Sequence, residues 1–123
     1  MRDRQLSNPD ISTLAHKEYC YLTTTGRVTG KRHEIEIWFS MENGVVFMLS
    51  GGRDRSDWVR NIRRNPDVTI RISDQVFDGR ARVVEDVDED ELARRLLVEK
   101  YERRPGSLSN WRRRALPVAV DPA

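Results

Sequence analysis

Nine residues, Thr23 to Lys31 (TTTGRVTGK), set two glycines, several hydroxyls and two permanent cations between two apolar stretches. A hairpin turn needs one or two glycines and none of the rest. Arg27 and Lys31, with the hydroxyls of Thr23, Thr25 and Thr29, are the donor set for an anion with several oxygens, such as a phosphate. Gly26 is expected to take positive φ at the end of a strand and to expose backbone N–H groups on the concave side. A solvated hairpin with idle cations has the same spelling, so the rest of the chain must decide.

A second stretch, LSGGRDRSDW (Leu49 to Trp58), offers related chemistry. Ser50 closes an apolar run, and Gly51 and Gly52 permit close approach of backbone to a ligand. A helix beginning at Ser56 would point its N-terminus back at the loop, where Arg53 and Arg55 add charge. Neither the phosphate-loop spacing nor the dinucleotide glycine pattern is present. In an antiparallel meander both cationic loops leave the sheet at the same end, so the topology brings them together around one anionic ligand. Trp58 and Asn61 share a face of the helix that follows and can reach that pocket. Trp38 could stack on a planar ligand or pack into the core. His33 is assigned to the pocket and His16 to the surface. Neither histidine has a nucleophile or a second ligand at metal spacing, so no catalytic residue and no metal site are named.

The elements that must position these residues follow from periodicity. Tyr19 to Thr25 has strand composition. His33 to Phe39 alternates, with Ile35, Ile37 and Phe39 on one face and Glu34, Glu36 and Trp38 on the other. MENG reads as a turn, and Val45 to Leu49 is apolar on both faces, as in a strand covered on both sides. Ser56 is the expected N-cap of a helix that buries Trp58, Val59 and Ile62 and ends at Asn65-Pro66. Val68 to Ile72 and Val76 to Val84 are two further strands. A second helix begins with an Asp88/Glu91 capping box and buries Leu92, Leu96, Leu97 and Tyr101. RPGSLSNWRRR reads as a loop and Ala115 to Val120 as a last strand. Near the start, Asp10 would cap a short helix carrying Ile11, Leu14 and Ala15. The sum is six strands and two or three helices, an α+β, mostly β fold. Its antiparallel sheet curls into a barrel, and residues 1–123 form one domain.

Composition narrows the function. The 123 residues carry 22 cations and 20 anions, a net charge of +2, which argues against a general nucleic-acid binder. Three of the cations are lysines (Lys17, Lys31, Lys100), so 19 are arginines, whose planar fork suits carboxylates and phosphates. One cysteine, Cys20, permits no internal disulfide. No run approaches the ~20 apolar residues of a membrane span, and the first residues lack the apolar run of a secretory signal. A soluble cytoplasmic protein is expected.

The stretches LTTTGRVTGKRHEIEIWF, MLSGG, SDWVRNIRRNPDVTIRI and DGRARVV, from about Leu22 to Val84, resemble the deazaflavin-dependent nitroreductase family. That family lies within the split β-barrel flavin-type oxidoreductases that include pyridoxamine phosphate oxidases. The resemblance implies a split barrel, commonly dimeric, that binds coenzyme F420, whose phosphodiester and oligoglutamate tail are anionic. Arg27, Lys31 and the Gly51-Gly52 loop would meet that tail, and the reduced deazaflavin would supply a hydride, so the protein needs no nucleophile of its own. Val28 stands where the nitroreductases often carry lysine, and His33 where they carry arginine. Related branches share a G-x-x-H followed by a strand ending in WF, which keeps flavin mononucleotide (FMN) as the alternative ligand. The expected activity is hydride transfer to a quinone, enone or nitro compound. The expected cofactor site is Thr25, Arg27, Lys31, His33, Ser50, Gly51, Gly52, Arg53, Arg55, Trp58 and Asn61. The rivals are an FMN-dependent reductase or oxidase on the same barrel and a non-catalytic carrier of deazaflavin, flavin or tetrapyrrole. The expected partners are a small-molecule acceptor and a second copy of the chain.

Overall fold

The computed structural model describes residues 11–123. After a 3₁₀ turn at Ile11–Leu14 come β1 (Cys20–Thr25), β2 (Arg32–Ile37), β3 (Ser40–Glu42) and β4 (Val45–Ser50). A 3₁₀ turn at Arg53–Arg55 leads into α1 (Asp57–Arg64), followed by β5 (Asp67–Ile72), β6 (Gln75–Val83), α2 (Val87–Tyr101), α3 (Ser109–Arg114) and β7 (Leu116–Pro122). The expected Asp10 cap lies outside the described residues.

The strands form one sheet in the order β2-β1-β5-β6-β7-β4-β3, antiparallel at every pairing. β2 and β3 therefore lie at opposite edges, yet only Trp38 and Phe39 separate them in sequence. Three peptide steps from Ile37 to Ser40 span at most about 11 Å, so the sheet must curl until its edges nearly meet. This is the curled barrel expected from the sequence, with one correction: seven strands rather than six among the described residues. The long strand expected over His33 to Phe39 breaks at the corner, and Ser40–Glu42 resumes on the other edge. A two-residue turn joins β3 to β4, with Asn43 (φ 54°) and Gly44 (φ 78°) both left-handed, as a tight hairpin requires.

The simple meander is also corrected, because β2 and β4 are not neighbours. The two loops nevertheless leave the sheet at the same end. Alternating direction along β1-β5-β6-β7-β4 makes β1 and β4 run the same way, so Thr25 and Ser50 end at one rim.

Two apolar layers hold the fold together. Inside the barrel, Leu22, Val46, Met48, Ile70, Ile72, Val118 and Val120 pack with Phe39, and α1 plugs the rim with Val59 and Ile62. Outside it, Phe47, Leu49 and Ala119 point from the alternate positions of β4 and β7 against Ala93, Leu97 and Tyr101 of α2. That is why Val45–Leu49 is apolar on both faces. α2 starts two residues earlier than expected: Asp86, not Asp88, caps it, its Oδ2 accepting the Glu89 N–H at 2.9 Å. Arg82 on β6 forks to Glu89 (2.6 and 2.8 Å) and to Asp121 (2.7 and 3.2 Å), fastening the start of α2 to the barrel. Residues 109–114, read as loop, form α3.

The corner at Phe39 is clasped by the end of α2. The Tyr101 hydroxyl accepts the Phe39 N–H (3.0 Å) and shares its proton between the carbonyls of Phe39 (2.9 Å) and Glu18. The Lys100 ammonium donates to the Phe39 carbonyl at 2.8 Å and sits 3.8 Å from the centre of the Phe39 ring. Burial lowers the Lys100 pKa from 10.5 to about 8. Burial likewise pushes Cys20 from 9.0 up to about 12 and Tyr101 from 10.0 up to about 12.

These shifts oppose one another in pH. Between about 8 and 10.5 the unfolded chain keeps a proton at Lys100 that the folded chain has released, so stability rises with pH there. Above 9.0 for Cys20 and 10.0 for Tyr101 the unfolded chain loses a proton that the folded chain keeps, so stability falls. The thermal midpoint is expected to rise from pH 8 to 9 and to decline above 10. Lys100→Met should abolish the rise and leave the decline; a native midpoint already falling between pH 8 and 9 refutes the assignment.

Candidate functional site

The β1–β2 loop is closed by its own backbone. The Gly26 N–H donates to the Lys31 carbonyl (2.7 Å), the Gly30 N–H to the Gly26 carbonyl (2.9 Å), and the Lys31 N–H to Thr29 Oγ1 (3.2 Å). The open cradle of N–H groups expected here is therefore not formed. Positive φ falls on Gly30 (77°) rather than on Gly26. Gly26 is needed for space instead: a Cβ there would lie 2.9 Å from His33 Nε2 and 3.1 Å from the Lys31 carbonyl oxygen.

Asn61 of α1 locks this loop to the barrel. Its Oδ1 accepts both the Arg27 N–H (3.1 Å) and Arg27 Nη1 (2.9 Å), and its Nδ2 donates to Thr24 Oγ1 (3.1 Å). Asn61 and Thr24 are both buried, so these bonds satisfy groups that water cannot reach. Arg27 Nη2 reaches Asp57 Oδ1 at 3.2 Å, but the Asp57 side chain is 82% exposed, and such a pair is weak enough for an incoming anion to displace.

The second loop is tied to the same helix start. The Ser50 hydroxyl donates to the Arg53 carbonyl (3.1 Å) and lies 2.8 Å from Ser56 Oγ, so Ser56 does not use its side chain as a cap. Gly51 is exposed, and a Cβ there would meet only Trp111, at 3.9 Å. A Cβ on Gly52 would lie 2.5 Å from Ser56 Oγ. Arg53, itself left-handed (φ 53°), turns its guanidinium to the Arg114 carbonyl at the end of α3 (2.6 Å). Arg55 is exposed, and its side chain has no partner among the described residues.

Two grooves follow. One, of about 530 Å³, lies between the β1–β2 loop and α1 and takes in Arg27, Lys31, His33, Trp58 and Asn61. The Lys31 ammonium and the His33 imidazole have no partner among the described residues. The other groove, of about 480 Å³, is walled by Leu49, Leu108, Trp38 and Trp111. Trp38 stacks parallel on Tyr101 (centroids 4.2 Å apart) and meets Trp111 edge-on at 5.6 Å. Both grooves run along β2: Glu34 and Ile35 border the first, Glu36 and Ile37 the second. From His33 to Trp38 an extended strand covers roughly 17 Å. β2 thus runs from Lys31 and His33, whose side chains have no partner among the described residues, to indole walls at the other end.

Thr24 lines the first groove where Thr25 was expected. Thr25 faces the other way and accepts Arg32 Nη1 at 3.0 Å. The alternating burial of Cys20, Leu22 and Thr24 is the signal that assigns it. Ser50, Gly51, Gly52, Arg53 and Arg55 do not border this groove; they flank the start of α1 toward Trp111. The indole of Trp111 was missed as a wall because its segment reads as a loop. No metal-binding cluster of His, Cys, Asp or Glu occurs among the described residues.

Residues 2–122 match the family described as F420H(2)-dependent quinone reductase. The chain belongs to that family. It is thus an F420-dependent oxidoreductase, and FMN becomes the secondary reading. Among solved structures, an F420-H2 dependent reductase is 27% identical, with 85% of this chain and 94% of that one covered and a TM-score of 0.68. A structure described as a domain-swapped dimer is 28% identical, with 85% and 80% covered and a TM-score of 0.70. A conserved hypothetical protein from Mycobacterium tuberculosis, 18% identical, shares the fold over 99% of this chain and 86% of that one at a TM-score of 0.76. No described helix is long and apolar enough to cross a membrane.

The Asn61 lock has a measurable weight. Asn61→Leu strands the Thr24 hydroxyl and the Arg27 N–H, and is expected to cost about 2–4 kcal/mol. Asp57→Asn should cost less than about 1 kcal/mol. Urea midpoints at unchanged slope report both, and equal effects would show that the lock carries no special load.

Proposed function

We propose that the chain passes a hydride from reduced F420 to an electrophilic organic acceptor, a quinone, enone or nitro compound. The observation that supports this reading is the polarity of the trough along β2. Lys31 and His33 are unpaired at one end, with Arg27 exchangeable beside them, and Trp38 and Trp111 stand at the other. The cationic end suits the anionic tail of F420, and the indole end suits a flat acceptor held beside the cofactor's ring. When bound, the reduced deazaflavin supplies the hydride.

The chain's own residues then bind, orient and exclude water. Arg27, Lys31 and His33 take the phosphodiester and carboxylates through charge-assisted hydrogen bonds. Glu34 and Asp57 border the same groove and confine the tail to the cationic side. Thr24 and Asn61 are engaged with each other, so they shape the groove wall more than they contact the ligand. Gly51 takes neither a left-handed φ nor a packed position, which suits a backbone kept bare for close approach of the ring. Trp38, Trp111 and Leu108 make the apolar bed for the acceptor. A homodimer, in line with the 28%-identical domain-swapped dimer, and a cytoplasmic location complete the proposal.

Fluorescence titration with oxidised F420 tests the tail. Arg27→Ala and Lys31→Ala should each weaken binding by about 1–3 kcal/mol, roughly five- to 150-fold, and unchanged affinity in both would overturn the placement. Gly51→Val should also impair binding with the fold intact, since its Cβ has room beside Trp111. Tighter binding of FMN than of F420 in the same titration would reverse the choice of cofactor.

A further inference from the structure

We infer that Tyr101 is a positioning residue for the acceptor: it holds the Trp38 indole still, as the floor on which a flat electrophile stacks. The inference rests on the acceptor reading of the aromatic groove given above.

Trp38 occupies a corner where the chain leaves one ladder before joining the next. It follows the last residue of β2 and precedes Phe39, whose backbone has neither strand edge beside it. An indole on such a corner would swing with the chain, and an edge strand without neighbours is mobile. Two contacts from α2 remove that freedom. The Tyr101 ring lies parallel to the indole at 4.2 Å, covering one side of it. The Tyr101 hydroxyl then fixes the next residue through the Phe39 N–H and carbonyl and reaches the Glu18 carbonyl on the segment before β1. Tyr101 is buried, while Trp38 stays 38% exposed to the groove that Trp111 closes edge-on. One side chain thus sets both the backbone and the ring of the groove floor without reaching the groove itself. A bed held in place before the ligand arrives costs the ligand less ordering, and the gain appears in binding rather than in the chemical step.

The test uses Tyr101→Phe, Trp38→Ala and the double variant, with reduced F420 and menadione. Tyr101→Phe keeps the ring and removes the hydroxyl. It should raise the menadione KM about fivefold with kcat and F420 affinity within about twofold, and weaken the near-ultraviolet circular dichroism of the indoles. In the Trp38→Ala background the same change should have no further effect on KM, because the two act in series. A full fivefold penalty persisting in that background, or a Tyr101→Phe variant with native KM, overturns the inference and leaves the acceptor reading intact. A Trp38→Ala variant with native menadione kinetics overturns the acceptor reading and the inference together. If Tyr101→Phe does not fold, Lys100→Met, which removes the second bond to the Phe39 carbonyl and the ammonium above the Phe39 ring while keeping Tyr101, carries the same cycle.

Discussion

Trp38 and Phe39 must connect two strands that lie at opposite edges of a seven-stranded sheet, and most of the molecule is arranged around that demand. A backbone crossing between edges leaves its ladder, so Phe39 loses the partners a strand would supply. A buried amide without a partner costs about 1–3 kcal/mol. The Tyr101 hydroxyl and the Lys100 ammonium fill the gap, while the Phe39 ring points inward and joins the barrel core. The corner also explains why β2 is open on one side. Among the described residues it pairs only with β1, so Ile35 and Ile37 remain half-buried, and the trough along β2 is the space a neighbouring strand would fill.

The charges divide along similar lines. Much of the arginine-rich surface is neutralised within the chain: Arg82 by Glu89 and Asp121, Arg63 by Asp54, Arg71 by Glu34, Arg80 by Asp67. Glu34 and Glu36 cannot pair cross-strand with Arg80 or Arg82, because β1 and β5 lie between β2 and β6. Against that background the unpaired Lys31 and His33 are informative. A net charge of +2 says little about ligands, whereas one ammonium and one imidazole in one groove, without partners among the described residues, say a good deal.

What could be read from the residues was what depends on local period. β1, β4, β5, β6 and both long helices follow from alternation or from a 3.6-residue stripe, and the common rim follows from counting strand directions. The break at Trp38–Phe39 could not be read, because apolar alternation continues through it and only the curl of the sheet reveals the corner. Gly26 sits where a left-handed turn would fit, but the left-handed residue is Gly30, and what crowds Gly26 is the Lys31 carbonyl beside the His33 ring. Thr24 was passed over for Thr25 because a hydroxyl near a glycine looks useful on either face. α3 was missed because six residues rich in arginine give no amphipathic stripe, and its tryptophan matters only through contacts with a strand about seventy residues earlier. Asp86 caps α2 in place of Asp88, a choice among several acids that spacing alone does not resolve.

The placement of β7 affects how the protein is made. It is the last strand in sequence, yet it sits between β6 and β4 and pairs Val120 with Val46 and Ala81. Until it leaves the ribosome, the sheet exists as two unconnected pieces, and β4 exposes an apolar side chain on each face. Closure waits on contacts about seventy residues apart, which is slow for a chain of this size. During translation, a chaperone that shields Val45–Leu49 would be guarding the seam that β7 later fills.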